Sequence, residues 1–317
     1  MSTEQSSEPQ TIAGFWGRPG AFFLDCLLLG AIGLLIALFV GQQLVDLGPW
    51  GRLLGFAVAI AYFGPLNSRL GGGQTLGKRL LKIKVVVRDG APLSVPKAFL
   101  RFIPLGTPWF LNNAQLPESI LFSFWLYVLS VAVFGIGLSV IYLYCFNRHT
   151  RQSLHDLVVG SYVVASESKG TVAAPAPWPL HLVVCGLLIL ASALTPYFTK
   201  GLAAIEPFAS LMNVYRAVSA EPWVVHAKVT KGKTFTSTLG KGQSAITQLN
   251  ITAYTKDSHI ENIERARQLA KLALATDTSA NSLDILQVTL VYGYDIGIAS
   301  SWRSQNHAHS PQEWSAK

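Results

Sequence analysis

The sequence predicts a multi-helix transmembrane bundle of about five crossings, followed by a small α+β domain with one helix on an antiparallel sheet. Three observations carry that prediction. Half of the 317 residues are apolar while 13% are charged. Long uncharged runs recur as far as Phe198, and beyond Lys200 the pattern changes to short alternating and helix-spaced segments. A mean hydropathy of +0.36 is too high for one water-soluble fold of this length, so the excess must face lipid.

The first crossing is Ala21 to Val40, a run interrupted only by Asp25 and as long as the ~20 residues a helix needs to traverse the hydrocarbon core. Residues 1–14, rich in Ser, Glu and Gln and without a basic stretch, are expected to be disordered. The apolar run after them then reads as a retained helix and not as a cleaved signal. Trp50 to Leu66 is the second crossing, with Trp50 and Arg52 placed as interfacial anchors. From Asn67 to Arg101 the chain gathers Arg69, Lys78, Arg79, Lys82, Lys84, Arg88, Lys97 and Arg101 against a single acid, Asp89. That is the pattern of a cytoplasmic loop. Within it, the alternation from Lys82 to Arg88 and the turn signal Asp89-Gly90 predict a small surface hairpin.

Ser119 to Phe146 holds no charged residue and forms a further crossing, with Gly135 and Gly137 available for close packing. Ala98 to Asn113 is apolar but cut by Pro104, Gly106 and Pro108, so it reads as a broken crossing or as a re-entrant piece. Counting it as a crossing puts every basic loop on one side, which favours four crossings within residues 15–165. A Pro/Ala linker at 166–179 then leads to an additional helix at 180–199. By parity, residues 200–317 lie outside the cytoplasm.

In that last segment, Trp223 to Thr230, Ala245 to Thr255 and Leu283 to Tyr292 read as strands, and Ile260 to Leu274 as a helix. Ser258 and Glu261 have capping-box spacing at its start. The order β, β, α, β suggests the antiparallel sheet, and Gly293 to Gly297 a bulge or turn after its last strand.

Three stretches carry a family resemblance. Gly17-Arg18-Pro-Gly-Ala-Phe-Phe-Leu-Asp25 opens the first helix, Gly73-Gln-Thr-Leu-Gly-Lys78 follows the second, and Arg151-Gln-Ser-Leu-His-Asp156-Leu-Val-Val-Gly160 closes the segment, with Arg101 between them. Together, over Phe15 to Val164, they resemble the RDD family of membrane proteins, named for one arginine and two aspartates. The departures are mild: one arginine at Arg18 where a pair is common, and Lys82 where a glycine is frequent. The resemblance implies a plasma (inner) membrane protein and an association with transport, including sodium–proton exchange in some members.

Arg18 and Asp25 are separated by two helical turns, about 10 Å of rise, on one face. A carboxylate at that depth costs at least ~2.5 kcal/mol on insertion scales and needs a partner, for which Arg101, Arg151 and Arg18 are the candidates. One reading has Asp25 with Asp156 binding a proton or a sodium ion. The other is a buried ion pair that fixes helix register. Lys78, Arg79, Lys82 and Lys84 suit anionic lipid headgroups or ordinary positive-inside topology. Gly72 to Lys78 has the spacing of a phosphate-binding loop, but Arg79 stands where a Ser or Thr must hold magnesium.

No metal or other cofactor is expected, and Asp295, His307 and His309 read as a random cluster at a mobile polar end. Neither a nucleophile set nor nucleic-acid binding is indicated, so the chain is not expected to be an enzyme. Transport of a small cation or solute through the Arg/Asp cluster is the leading expectation. The alternative is a membrane-anchored scaffold or envelope-assembly protein whose residues 201–317 bind a protein partner.

Overall fold

A computed structural model describes residues 10–112, 123–201, 205–238 and 241–316. The chain divides into two compact units, one comprising residues up to Val40, Pro49–Pro196 and Ile296–Ala299, the other Gly41–Gly48, Tyr197–Asp295 and Ser300 onward.

In the first unit, α1 (Gly17–Leu47) opens with Pro19 in its first turn, where a missing N–H costs nothing, and leaves helical geometry at Val40. Its inner face is the i, i+4 series Ala21, Asp25 and Leu29, each at most 3% exposed, while Phe23, Leu34, Leu38 and Phe39 face outward. A helix with small and polar residues inside and large apolar ones outside is built for lipid and not for water. A 3₁₀ turn at Gly48–Trp50 leads into α2 (Gly51–Leu66), whose buried stripe is Gly51, Gly55, Ala59 and Phe63. Phe22 stacks on Phe63 with ring centroids 5.9 Å apart, and Leu29 packs in one cluster with Ala59. The two helices therefore run antiparallel.

The short α3 (Leu76–Leu80) is capped by Thr75, whose side chain accepts from Lys78 N. It leads to β1 (Ile83–Val86). The turn at Asp89-Gly90 forms as predicted, with Gly90 N donating to Val87 O at 3.0 Å, but the expected local hairpin does not. β1 pairs antiparallel with β2 (Tyr162–Ala165), from Ile83 opposite Ala165 to Val86 opposite Tyr162. The reason is apolar: Val85, Val86, Val163 and Val164 are all at most 3% exposed, and a hairpin return through Ala91 and Pro92 offers no large aliphatic side chain and, at Pro92, no N–H. Of the N-terminal stretch expected to be disordered, residues 1–9 lie outside the described residues. The rest is ordered against β2, with Ala13 N donating to Val163 O at 2.9 Å. The Pro/Ala linker also packs here, burying Val172 and Ala174.

Val95–Leu111 forms α4, one continuous helix despite Pro104 and Pro108. Phe124–Phe146 is α5, with a π turn at Val131–Gly135, and Ser119 to Phe122 of the expected crossing lie outside the described residues. Leu154–Val159 is α6 and Pro179–Lys200 is α7. α5 and α7 run antiparallel, tied by Ser130 Oγ donating to Ser192 O at 2.6 Å and by Tyr142 against His181 Nδ1 at 3.1 Å.

Three helical stretches among the described residues are long and apolar enough to cross a membrane: Gly17–Leu66, Phe124–Phe146 and Pro179–Thr199. The first contains the α1–α2 hairpin. α4 is not among them, because it is only 17 residues long. Cys26 and Cys145 face outward, while Cys185 is buried.

The second unit is mostly sheet. It comprises α8 (Phe208–Ser219), β3 (Val224–Thr238), β4 (Lys241–Thr255), α9 (Ile263–Thr276), β5 (Ile285–Asp295), β6 (Ser300–His309) and α10 (Pro311–Ala316). The strand order is β3-β4-β5-β6. The antiparallel expectation is corrected at the centre, where β4 and β5 are parallel, Ile251 opposite Val288. The helix between them carries the chain back to its starting end, as a crossover requires. A second helix, α8, also joins the core through Val214 and Val218.

Two local expectations change as well. α9 starts later than the Ser258/Glu261 box, with Asn262 as its cap accepting from Glu264 N. The polar end containing His307 and His309 is an ordered strand paired along β5. Trp314, 2% exposed, closes the core and donates Nε1–H to Leu286 O at 2.9 Å.

Candidate functional site

The charged residues singled out in the sequence meet in the first unit, but not in the expected pairs. Asp25, 1% exposed, takes no arginine. Its Oδ1 accepts from Tyr62 OH at 2.7 Å and from Gly77 N at 2.8 Å, and its Oδ2 accepts from Thr75 Oγ1 at 2.6 Å. The carboxylate thus sits at the amino end of α3, where unpaired N–H groups favour a negative charge. Gly77 is needed for that approach, since a Cβ there would lie 2.1 Å from Ala21 O. Gly73, at φ +74°, similarly lets the loop lie on β1, where a Cβ would meet Val85 O at 2.3 Å. The glycine-threonine-glycine-lysine stretch is therefore a clamp between the loop and α1.

The arginines converge on Asp156 instead. Arg101 Nη2 lies 2.6 Å from Asp156 Oδ1, and Arg18 pairs with Oδ2 while its other nitrogen donates to Arg151 O. Arg151 contributes that carbonyl from a left-handed backbone, φ +52°, and not a charge. Ser161 Oγ donates to Asp156 Oδ1 at 3.1 Å, and Asp156 closes a capping box with Ser153 at the start of α6. Burial alone would raise the Asp156 carboxyl, but the guanidinium groups of Arg101 and Arg18 outweigh it and hold it well below the usual carboxylate range. His155 is pushed down to about 3, chiefly by burial, and stays neutral.

Arg18, Asp25, Lys78, Arg101 and His155 line one cavity of about 250 Å³, together with Phe22, Phe63, Phe102 and Ile141. Lys78 points into it, donating to Asn67 Oδ1 at 2.6 Å. Burial, reinforced by Arg101 and opposed by Asp25 and Asp156, pushes its ammonium down to about 7. It is thus separated from the other three lysines and arginines expected on the surface. Arg79 and Lys82 are exposed, Lys82 lies 3.6 Å from Glu167, and Lys84 donates to Ser168 O at 3.0 Å.

Sequence reasoning missed Tyr62 and Asn67, and gave His155, beside Asp156, little weight. Tyr62 was legible only as the one hydroxyl in a helix whose single charge is Arg52. Thr75 stood in the motif without a role.

The fold and this cluster define a membrane protein whose helices close on a buried arginine–aspartate–arginine bridge. Residues 12–160 match the model of the RDD family. The chain is 28% identical over 152 residues to an uncharacterized protein of Bacillus subtilis (strain 168), YckC, a match covering 48% of this chain and 83% of that one. No solved structure matches.

Proposed function

We propose that the RDD module carries a small solute across the plasma (inner) membrane through the cavity shared by Arg18, Asp25, Lys78 and Arg101. That convergence is the observation that supports the reading. Intramembrane charge is costly and is retained where it binds or relays something. Of the two substrate classes, the solute is favoured over the cation. Asp25 already accepts three hydrogen bonds, and Asp156 is neutralised by two arginines. Asp25 acts as a positioning residue, because it anchors the turn that carries Lys78.

In this reading the chain crosses the membrane about five times, through α1, α2, α4, α5 and α7. The basic loops are then cytoplasmic, Arg79, Lys82 and Lys84 lie against anionic headgroups, and residues after Lys200 lie outside.

Proteoliposomes of the full chain offered isotope-labelled sodium or benzenesulfonate test the proposal. Uptake of benzenesulfonate is expected, with Asp25→Asn reducing it at least about tenfold at normal insertion, the loss of one charge-assisted contact. Uptake of sodium instead would overturn the preference for a solute, and uptake of neither by inserted protein would end the transport reading.

A further inference from the structure

We propose that the cavity between α1, α2, α4 and α5 binds a monoanion carrying an apolar group, the anion against Lys78 and the apolar part along Phe22, Phe63 and Phe102. This deepens the transport reading, on which it rests for the cavity's role.

Charge comes first. Three cationic side chains, Arg18, Lys78 and Arg101, line the cavity against one carboxylate, Asp25. The second carboxylate, Asp156, is buried behind them with both arginines on it. Counting all five formal charges leaves one positive charge over, and Lys78 carries it, because both arginines pair with Asp156 while Lys78 donates to the neutral Asn67. Its Nζ makes one hydrogen bond, to Asn67, out of the three an ammonium offers. His155 adds a second polar group: it lines the same cavity, its side chain is 9% exposed, and its Nδ1 is buried without a hydrogen-bond partner. A buried ring nitrogen without a partner costs free energy that a bound acceptor or donor would recover.

The rest of the wall selects against a fully hydrated ion. Phe63 stacks on Phe102 with centroids 5.1 Å apart and planes at 16°, and on Phe22 at 5.9 Å. Sulfate or phosphate would lose water against these rings, which supply no hydrogen bonds to replace it. A cavity of about 250 Å³ exceeds the ~150 Å³ that admits benzene in an engineered protein core. The fitting ligand is therefore a ring or short chain with one negative charge. Such chemistry reaches the site from water as a small organic acid, or from the bilayer as the head of an anionic lipid.

The test uses the full chain in nanodiscs of phosphatidylcholine alone, titrated with benzenesulfonate, its neutral isostere benzenesulfonamide, and sulfate. Benzenesulfonate should bind at least about tenfold more tightly than either of the others, the worth of one charge-assisted contact or of the ring burial. Lys78→Met should remove that advantage and Lys78→Arg should keep it. The comparison of isosteres needs no variant, so a misfolded Lys78→Met leaves the proposal testable. Nanodiscs containing phosphatidylglycerol separate the sources. Competition with benzenesulfonate identifies the lipid as an occupant, and unchanged affinity identifies a water-borne acid.

Equal binding of sulfonate and sulfonamide, or binding of neither with no phosphatidylglycerol retained in native mass spectra, overturns the proposal. Binding without flux keeps the site and removes the transport reading. Benzenesulfonate-insensitive flux of another solute does the reverse.

Discussion

Gly77 donates its backbone N–H to Asp25 Oδ1 at 2.8 Å across 52 residues of sequence, so a side chain of α1 serves as the anion at the amino end of α3. The contact closes from both sides. A Cβ on Gly77 would meet Ala21 O at 2.1 Å and Asp25 Oδ1 at 3.0 Å, and the first of these is helix backbone, which cannot swing away. Gly77→Ala should therefore destabilise the purified protein by about 1–3 kcal/mol, the usual cost of overpacking. An unchanged thermal midpoint in detergent would show that the loop does not press on α1.

Removing the charge of Asp156 should cost more. Arg18 and Arg101 have side chains 8% and 6% exposed, and Asp156→Asn leaves both without a counter-charge, a loss of about 3–5 kcal/mol. The same group gives a pH signature. Its native carboxyl is held low, so the stabilisation is present above the ordinary carboxylate value of ~3.9 and is lost as pH falls below it towards the native value. Acid unfolding of the wild type should contain that component, and that of Asp156→Asn should not.

Lys82 sits at φ +53°, where a side chain on L-backbone costs about 1–2 kcal/mol and glycine costs nothing sterically. Its partner Glu167 is 82% exposed at the side chain, so the ion pair contributes little to offset this. Lys82→Gly should raise stability by up to about 1 kcal/mol after the entropy of the added glycine is subtracted. A fall in the midpoint would assign Lys82 a contact beyond its backbone.

Lys78 should make anion binding depend on pH near neutrality. Its ammonium is pushed down to about 7 by burial, and Arg18, Asp25, Arg101, His155 and Asp156 face it. Asp156 remains ionised and His155 neutral at neutral pH. Benzenesulfonate affinity should fall as pH rises from about 6 to about 8, by at most about tenfold per unit for one linked proton. Lys78→Arg should flatten the profile. A flat wild-type profile would remove Lys78 from the site.

Much of the first unit was legible because membrane helices follow from hydropathy and because Arg18, Asp25, Arg101 and Asp156 stand out in apolar surroundings. Their pairing was not legible. Two turns separate Arg18 from Asp25 on one helix, and nothing local says that the arginine reaches past α1 to Asp156 while Asp25 turns to Tyr62 and Thr75. The β1–β2 pair was hidden for the same reason, since its partners are distant in sequence.

In the second unit, β4 and β5 alternate clearly and were found, whereas β6 was not. Its residues Ser300 to Gln305 are exposed, and an edge strand with no buried face has no apolar period to read. The parallel centre follows from the helix between two strands, a pattern weighed as an antiparallel layer because a single helix of that length fits both.

The bridge at Asp156 also fixes an order in time. Arg18 precedes Asp156 by 138 residues and Arg101 precedes it by 55, so during synthesis both cations leave the ribosome well before the anion that neutralises them. Until α6 arrives, two guanidinium groups must remain in water or among headgroups, and the bundle cannot close. A ribosome-bound chain ending before Asp156 would therefore hold the ends of α1 and α4 apart, and the final turn of the module acts as the latch on everything made before it.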